Sequence, residues 1–380
     1  MENVYILGGL RSYIGVYNGM YRHVSAERLG ADVLQRLVSS CHIPAKDIDS
    51  IICGNAVGGG GNSTRLMALL AGMDETIPSF TIDMQCCSGL QSICTASTAI
   101  ACGQEHVSIV GGFESASTQP IRSHHPNHPA YTGVHDTYMT AQFVPSCWDE
   151  QIMLKSAEAT AAEAGIRRHD LDAWVLRSHR LAYQAEQAGV LHRIQADIQG
   201  STRDEGIRRR INQKFLDRLP CILPEGNVLT AGNTCLTHDG AALLAVCSES
   251  YYKTHVCHPI GKIKGFCMTG TNPLRSPLGA VQSIEKLLRQ QKMNASDIDI
   301  FEVNEAFAVI DELFARAYPH CVERYNILGG ALAYGHPYGA TGAMLILHAL
   351  TALKQTGGTL GCCSIAGAGG LGCAVLVERI

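Results

Sequence analysis

The sequence predicts an α/β protein built from two similar halves, and three observations carry that expectation. Short apolar runs of strand type alternate with helical patterns at both ends of the chain. Each end places a polar, glycine-containing turn just before an apolar helix. Between them, residues 118–238 are polar and rich in His and Arg, which reads as an inserted lid-like subdomain.

Taken in order, the first half has strand-like residues 4–7, a helical pattern over 26–39 and a strand over 48–53. A helix over 65–72, a strand over 77–82, a helix over 90–96 and a strand over 107–110 follow. This alternation predicts a mostly parallel sheet covered by helices. The insertion holds helix candidates at 150–164 and 171–187. From Lys262 the pattern resumes with a helix over 281–290, a strand over 298–303, a helix over 342–353 and a closing strand pair. The expected division is 1–117 plus 239–259 for the first half, 118–238 for the insertion and 260–380 for the second half.

Composition narrows the function. At 380 residues, 46% hydrophobic and 17% charged, the chain can bury substantial cores. A net charge of −4 argues against nucleic acid as the main partner. No apolar run has the length of a membrane span, and the start, Met1 to Gly9, lacks the basic region of a signal peptide. Sixteen cysteines without regular spacing predict reduced thiols and a cytoplasmic protein. Most of them read as small buried apolar residues.

Cys86 stands out, because it lies at the junction of a strand-like run and the helix that Ser88-Gly89-Leu90 begins. Unpaired N–H groups at a helix start favour a thiolate, and the small Ser88 and Gly89 leave room for an acyl group. Three more segments carry polar groups or glycines that a plain core does not need. They are Asn304-Glu305 after an apolar strand, Gly335-His336-Pro337, and the run from Ile365 to Gly372. Glycines in that last run let main-chain N–H groups face a ligand as an oxyanion hole. Each has a plainer explanation: a buried cysteine, a turn histidine, an asparagine capping the next helix, a tight strand connection. A cysteine, a histidine and backbone donors together suit acyl transfer through a thioester.

In order and spacing these marks resemble the thiolases over nearly the whole chain. The matching segments are Gln85-Cys86-Cys87-Ser88-Gly89-Leu90-Gln91, Gly111-Gly112-Phe113-Glu114-Ser115, Thr230-Ala231-Gly232-Asn233 and Asp239-Gly240-Ala241-Ala242. Asn304-Glu305-Ala306-Phe307, Gly329-Gly330-Ala331, Gly335-His336-Pro337 and Gly369-Gly370-Leu371-Gly372 complete them. The resemblance implies the thiolase fold, two βαβαβ halves in five α-β-α-β-α layers with a loop domain for coenzyme A, assembled as homodimers or tetramers. It implies no permanently bound cofactor and no metal, with acyl-CoA and CoA as substrates. It implies that Cys86 is the nucleophile, His336 the base and oxyanion donor, and Asn304 the holder of a water in that oxyanion hole. The amides of Cys86 and Ala368 would form a second hole, and Met153, Cys235, Ala306 and Phe307 would contact pantetheine. The implied reaction is 3-ketoacyl-CoA + CoA ⇌ acyl-CoA + acetyl-CoA.

Two departures qualify the resemblance. The family's Cys-Ile-Gly-Gly-Gly supplies a second cysteine as acid/base for the α-carbon, and that position is Ala366 here. Asp83 stands where an asparagine is common. Ala366 motivates a rival reading, an acyl or ketoacyl transferase without carbon–carbon chemistry; for the carbon–carbon step itself, His336, Cys363 after rearrangement, or a water are the substitutes for the missing acid/base. A rival of another class is a non-catalytic acyl-CoA-binding subunit. Other features carry less. His124, His125, His128 and His135 read as a solvated loop, and Gly58 to Gly61 as a flexible connection. Arg208, Arg209 and Arg210 suit either a solvated face or the phosphates of CoA.

Overall fold

The computed structural model describes residues 2–145, 150–235, 237–255 and 257–380. The first half runs through β1 (Val4–Ser12), the short β2 (Gly15–Val16), α1 (Ala26–Cys41), β3 (Ser50–Gly54) and α2 (Ser63–Leu70). It continues with β4 (Ser79–Ile82), α3 (Ser88–Ala101) and β5 (Val107–Glu114). The insertion contributes α4 (Ile152–Glu163), α5 (Arg168–Ala188), β6 (Gln195–Ala196) and α6 (Gln213–Leu216). Then β7 (His238–Ser248) and α7 (Glu249–Thr254) lead to β8 (Gly261–Gly270), α8 (Leu278–Gln291), β9 (Ile300–Val303) and α9 (Ala308–Ala317). The chain closes with α10 (Ala331–Tyr334), α11 (Tyr338–Thr356), β10 (Leu360–Gly367) and β11 (Leu371–Arg379).

Local chemistry sets these elements. The Ser25 hydroxyl accepts from the N–H of Arg28 and starts α1, while His42, in a left-handed conformation (φ 53°), stops it. Leu29, Val33, Leu34 and Leu37 give α1 one buried face.

The strands follow the spatial order β4-β3-β5-β7-β1-β8-β11-β10-β9. In each half the strand after the first long helix lies beyond the two closing strands, which is the repeat expected from the sequence. The second half has one fewer full strand. In its place Tyr325 makes a single parallel bridge to Phe301, and the Asn326 side chain pairs with both N and O of Val303 at 2.8 Å. That amide stands in for one further rung of backbone pairing.

The expectation of a mostly parallel sheet is wrong. Only β4–β3, β3–β5 and β10–β9 pair in parallel along this path, and the joins β5–β7, β7–β1, β1–β8, β8–β11 and β11–β10 are antiparallel. Parallel neighbours need a helical crossover, but β7 enters after the long insertion and β10–β11 form a tight hairpin, so both return in the opposite sense.

Helices α1 and α2 cover the outer face of the first half, and α8 and α9 that of the second. Between the halves lie α3 and α11, which touch each other and strands of both halves. The result is five layers with three apolar cores. The central helices nearly merge: a Cβ at Gly89 would sit 2.5 Å from Gly339 O, and one at Gly342 would sit 2.1 Å from Leu90 N. This contact aligns the starts of α3 and α11, which carry the candidate site.

The insertion is anchored to both halves. Helix α5 packs on α9 and α10, and β6 adds to β1. Fully buried Arg11 donates to both carboxylate oxygens of Asp204 at 2.8 and 2.9 Å, and Asp204 also accepts from Ile14 N. Among the described residues, no helix is long and apolar enough to cross a membrane.

Candidate active site

The turn before α3 presents Cys86. The Asp83 carboxylate accepts from Gln85 N at 2.9 Å, and Gln85 takes a left-handed conformation (φ 53°). Asp83 thus does locally what an asparagine would do. The Ser88 hydroxyl donates to Gln85 O and accepts from Met84 N, which closes the turn. Cys86 is left just ahead of the helix, 7% exposed, with the N–H groups of Ala368 and of Cys86 itself donating to its sulfur. Ala368 lies in the β10–β11 turn, where Gly369 and Gly370 adopt φ 80° and 79°. Burial overrides the helix start: it pushes the thiol up to about 12 against the pull of these two amides. Cys86 at rest is therefore a thiol, not the thiolate expected from its position.

His336 precedes α11. Its Nδ1–H donates to Thr341 Oγ1 at 2.6 Å, and the Thr341 hydroxyl donates onward to Pro337 O at 2.9 Å. The threonine proton is committed to the carbonyl, so Nδ1 carries the imidazole proton and Nε2 the lone pair. The Asn304 amide donates to that Nε2 at 3.2 Å. Burial, helped by neighbouring His238, lowers His336 to about 3, so the ring is neutral at rest. His238 also accepts from the N–H of His336 at 3.3 Å and packs under Gly335, whose φ of 106° and contact with that ring exclude a side chain.

Asn304 ends β9, fully buried, and its Oδ1 has no protein partner. It does not cap α9, which Phe307 precedes. Adjacent Glu305 is structural, accepting from Ser178 Oγ, Asn326 Nδ2 and Leu332 N. The Tyr338 and His336 rings meet in a T-shaped contact with centroids 4.8 Å apart, and the Tyr338 phenol feels Cys86, Cys235 and Glu114. The structure thus joins Asn304 to His336 directly and sets Cys86 at the start of the helix that packs against α11. It also groups Met153, Cys235, Ala306 and Phe307 on one apolar cluster, together with Ala366. Cys235 N donates to Ala306 O at 3.0 Å.

Three residues in this array were quoted in the motifs without a role or missed altogether. Thr341 fixes the imidazole tautomer and His238 holds the backbone of His336. Glu114 accepts from Asn55 Nδ2, Ala56 N, Val57 N and Gly339 N, joining β5 and its neighbouring loop to the first turn of α11. Burial pushes Glu114 up to about 7 against those donors. The spacing of Thr341, in the first turn after His336, was the available signal.

Cys363 is a poor substitute for a thiol at Ala366. Along β10, Cys363 and Ile365 face the central core, whereas Cys362 and Ala366 face the outer one. Three residues of strand separate Cys363 from Ala366 by about 10 Å.

His124 is committed to Asp136 at 2.7 Å and stacks on His128 and Tyr138, and no group of three or more metal-type side chains clusters among the described residues. Arg208 and Arg209 line a surface cavity of about 610 Å³ with Arg177, Arg180 and Tyr183.

Comparisons agree with this architecture. The family description "Thiolase, N-terminal domain" matches residues 4–250, and "Thiolase, C-terminal domain" matches residues 257–379. A probable acetyl-CoA acyltransferase of Staphylococcus aureus (strain COL) is 32% identical over 379 residues, covering 95% of this chain and 96% of the relative. The crystal structure of the Bacillus anthracis acetyl-CoA acetyltransferase superposes with a TM-score of 0.94 at 28% identity, covering 100% of this chain and 99% of that one. Human mitochondrial 3-ketoacyl-CoA thiolase in complex with CoA gives 0.92 at 27% identity, covering 100% and 98%. With both domain descriptions matched in order and the relatives covered almost end to end, the chain belongs to the thiolase family and is a thiolase-type acyltransferase.

Proposed function

We propose that the chain interconverts 3-ketoacyl-CoA plus CoA with acyl-CoA plus acetyl-CoA through an acyl-Cys86 intermediate. The observation that carries this reading is the Thr341–His336–Asn304 array, which leaves Nε2 of His336 as a proton acceptor at the site that holds Cys86. His336 Nε2 takes the Cys86 proton as the sulfur attacks the thioester. The N–H groups of Cys86 and Ala368 form one oxyanion hole; protonated Nε2 and a water on Asn304 form the other. Pantetheine lies along Met153, Cys235, Ala306 and Phe307, and the arginine-lined cavity takes the phosphates of CoA.

Residues 118–238 serve as the CoA loop domain, between halves 1–117 plus 239–259 and 260–380. The reading extends to a homodimer or tetramer: β4 is an edge strand, and Phe80, Leu66, Leu69 and Leu70 near it are 42%, 49%, 47% and 41% exposed. Free thiols at every described cysteine support a reducing, cytoplasmic setting and a place in fatty acid metabolism is compatible with the reaction.

A second reading, acyl transfer without carbon–carbon chemistry, is favoured by Ala366. Mass spectrometry after exposure to acetyl-CoA tests the first step. An acetyl adduct on Cys86, absent in Cys86→Ala, is expected. No adduct on the native chain would leave the non-catalytic binding subunit as the better account. Thiolysis of acetoacetyl-CoA by CoA, compared with the Ala366→Cys variant, separates the two enzymatic readings. Turnover by the native chain supports the thiolase reaction, whereas turnover gained only in Ala366→Cys supports the second.

A further inference from the structure

We infer that Cys235 is the acid/base for the α-carbon, in the role that Ala366 leaves vacant. The inference rests on the thiolase reaction proposed above. Residues 234–235 and 237–238 are each tied to the candidate catalytic segments. Thr234 bridges Phe307, and Cys235 N donates to Ala306 O at 3.0 Å. Thr237 bridges His336, whose N–H donates to His238 Nδ1. Cys235 therefore stands between the strand end that carries Asn304 and the turn that carries His336.

Its side chain packs on the cluster that contains Ala366, Ala306 and Phe307. The thiol feels Cys86, and the Tyr338 phenol feels both. Two buried polar atoms on flanking residues, Thr234 Oγ1 and Asn304 Oδ1, have no protein partner, as expected where a polar substrate completes the site. The other thiols are committed elsewhere. Cys87 Sγ donates to Ile365 O, and Cys94 meets Cys373. Cys362 and Cys363 are fully buried within β10, whereas Cys235 is partly accessible.

In the cleavage direction the chemistry balances as follows. Cys86 Sγ bonds to the 3-keto carbon while its proton passes to Nε2 of His336. The bond between the α-carbon and that carbon breaks, and its electron pair becomes the enolate of acetyl-CoA. The α-carbon takes the proton of Cys235 Sγ, and the resulting thiolate recovers a proton from the His336 imidazolium. Acyl-Cys86 and acetyl-CoA remain, with Cys235 and His336 neutral, and condensation is the reverse.

The test compares two reactions of the whole chain. One is thiolysis of acetoacetyl-CoA; the other is acyl exchange between acetyl-CoA and dephospho-CoA, which moves no α-proton. Loss of a positioned acid/base costs about 10²–10⁴-fold. Cys235→Ala is expected to lower thiolysis by that factor more than it lowers exchange, the loss of exchange measuring what Cys235 contributes to holding pantetheine. Adding Ala366→Cys to that variant is expected to restore thiolysis. Thiolysis that survives Cys235→Ala, or thiolysis and exchange falling together without rescue, overturns the inference while leaving the thiolase reading standing. A native chain that exchanges acyl groups but never cleaves acetoacetyl-CoA overturns both.

Discussion

Replacing Thr341 with valine isolates the tautomer of His336. Valine matches the shape of threonine but offers no acceptor, so the buried Nδ1–H that now lies 2.6 Å from Thr341 Oγ1 is left unpaired. A buried donor without a partner costs about 1–3 kcal/mol. The ring avoids that cost by moving its proton to Nε2, but it then has no lone pair for the Cys86 proton. Either way the reactive tautomer rises by about 1–3 kcal/mol, and acylation of Cys86 slows by about 5- to 150-fold. Single-turnover acetylation followed by mass spectrometry measures this directly. KM should change little, because Thr341 lies behind the ring from the nitrogen that meets substrate. Thr341→Ser keeps the hydroxyl and should retain most of the rate. A valine variant acylating within twofold of the native chain, or a serine variant that falls equally far, would refute the assignment of Nε2 as the base.

Other expectations follow from the same geometry. Asn304→Ala removes the side chain that orders Nε2 and the proposed oxyanion water, and kcat should fall by about 10²–10³; a loss confined to KM would assign Asn304 to binding only. Gly89→Ala drives a methyl against backbone atoms of α11 that cannot swing aside, so denaturant unfolding should show a loss of about 1–3 kcal/mol, and an unchanged midpoint would contradict the close contact. His336 is lowered to about 3 in the fold, so between there and its ordinary 6.5 the unfolded chain holds a proton that the folded chain does not. Stability drawn from it is present above pH 6.5 and falls as pH drops, by about 1.4 kcal/mol per pH unit. Glu114, raised to about 7, acts in the opposite sense, losing stability as pH rises from 4.5 to 7, so the two oppose each other in mild acid. His336→Asn should therefore become relatively more stable than the native chain on acidification from pH 6.5 to 5.5, and parallel pH profiles would argue against a neutral buried imidazole. Alkylation of Cys86 by a neutral reagent should still accelerate above pH 9, since the thiolate is the nucleophile; a plateau below pH 7 would reveal a preformed ion pair.

Much of the fold was legible because most elements carry a local signature. Helix α1 shows its apolar face and its serine cap in sequence, and the helices after Cys86 and His336 each carry a glycine in their first turn, Gly89 and Gly339. Strand β7 had no such signature: all eleven of its residues are buried, and a run such as Gly-Ala-Ala-Leu-Leu-Ala-Val lacks the alternation that marks a strand. Strand direction was also beyond local reading, since it depends on how the insertion returns the chain. Cys86, His336 and Asn304 were recognisable as motifs, but their partners were not. The bond from Thr341 to His336 requires the first turn of α11 to be formed, and the four donors on Glu114 come from two segments far apart in the chain, 55–57 and Gly339. The helix start predicted a thiolate at Cys86 because a dipole can be inferred from sequence, whereas desolvation becomes apparent only when the layers close over the sulfur.

In the proposed reaction, that desolvation determines how the steps run. Burial holds the Cys86 thiol well above and the His336 imidazole well below their ordinary values, so moving the proton between them at rest creates two desolvated charges that both groups resist. A thiolate–imidazolium pair is therefore not the resting state, and the site does not store a charged nucleophile. Proton transfer becomes favourable only as the sulfur bonds to the acyl carbon and the negative charge moves onto the acyl oxygen. That oxygen can be met by fixed amides at Cys86 and Ala368, and the imidazolium gains the anion it otherwise lacks. The same buried setting that suppresses the thiolate makes those donors effective, because bulk solvent does not screen the developing charge. Discrimination follows from the proposed arrangement: a small electrophile finds a neutral thiol, whereas a thioester seated along the proposed pantetheine surface brings the carbonyl that makes ionisation worthwhile.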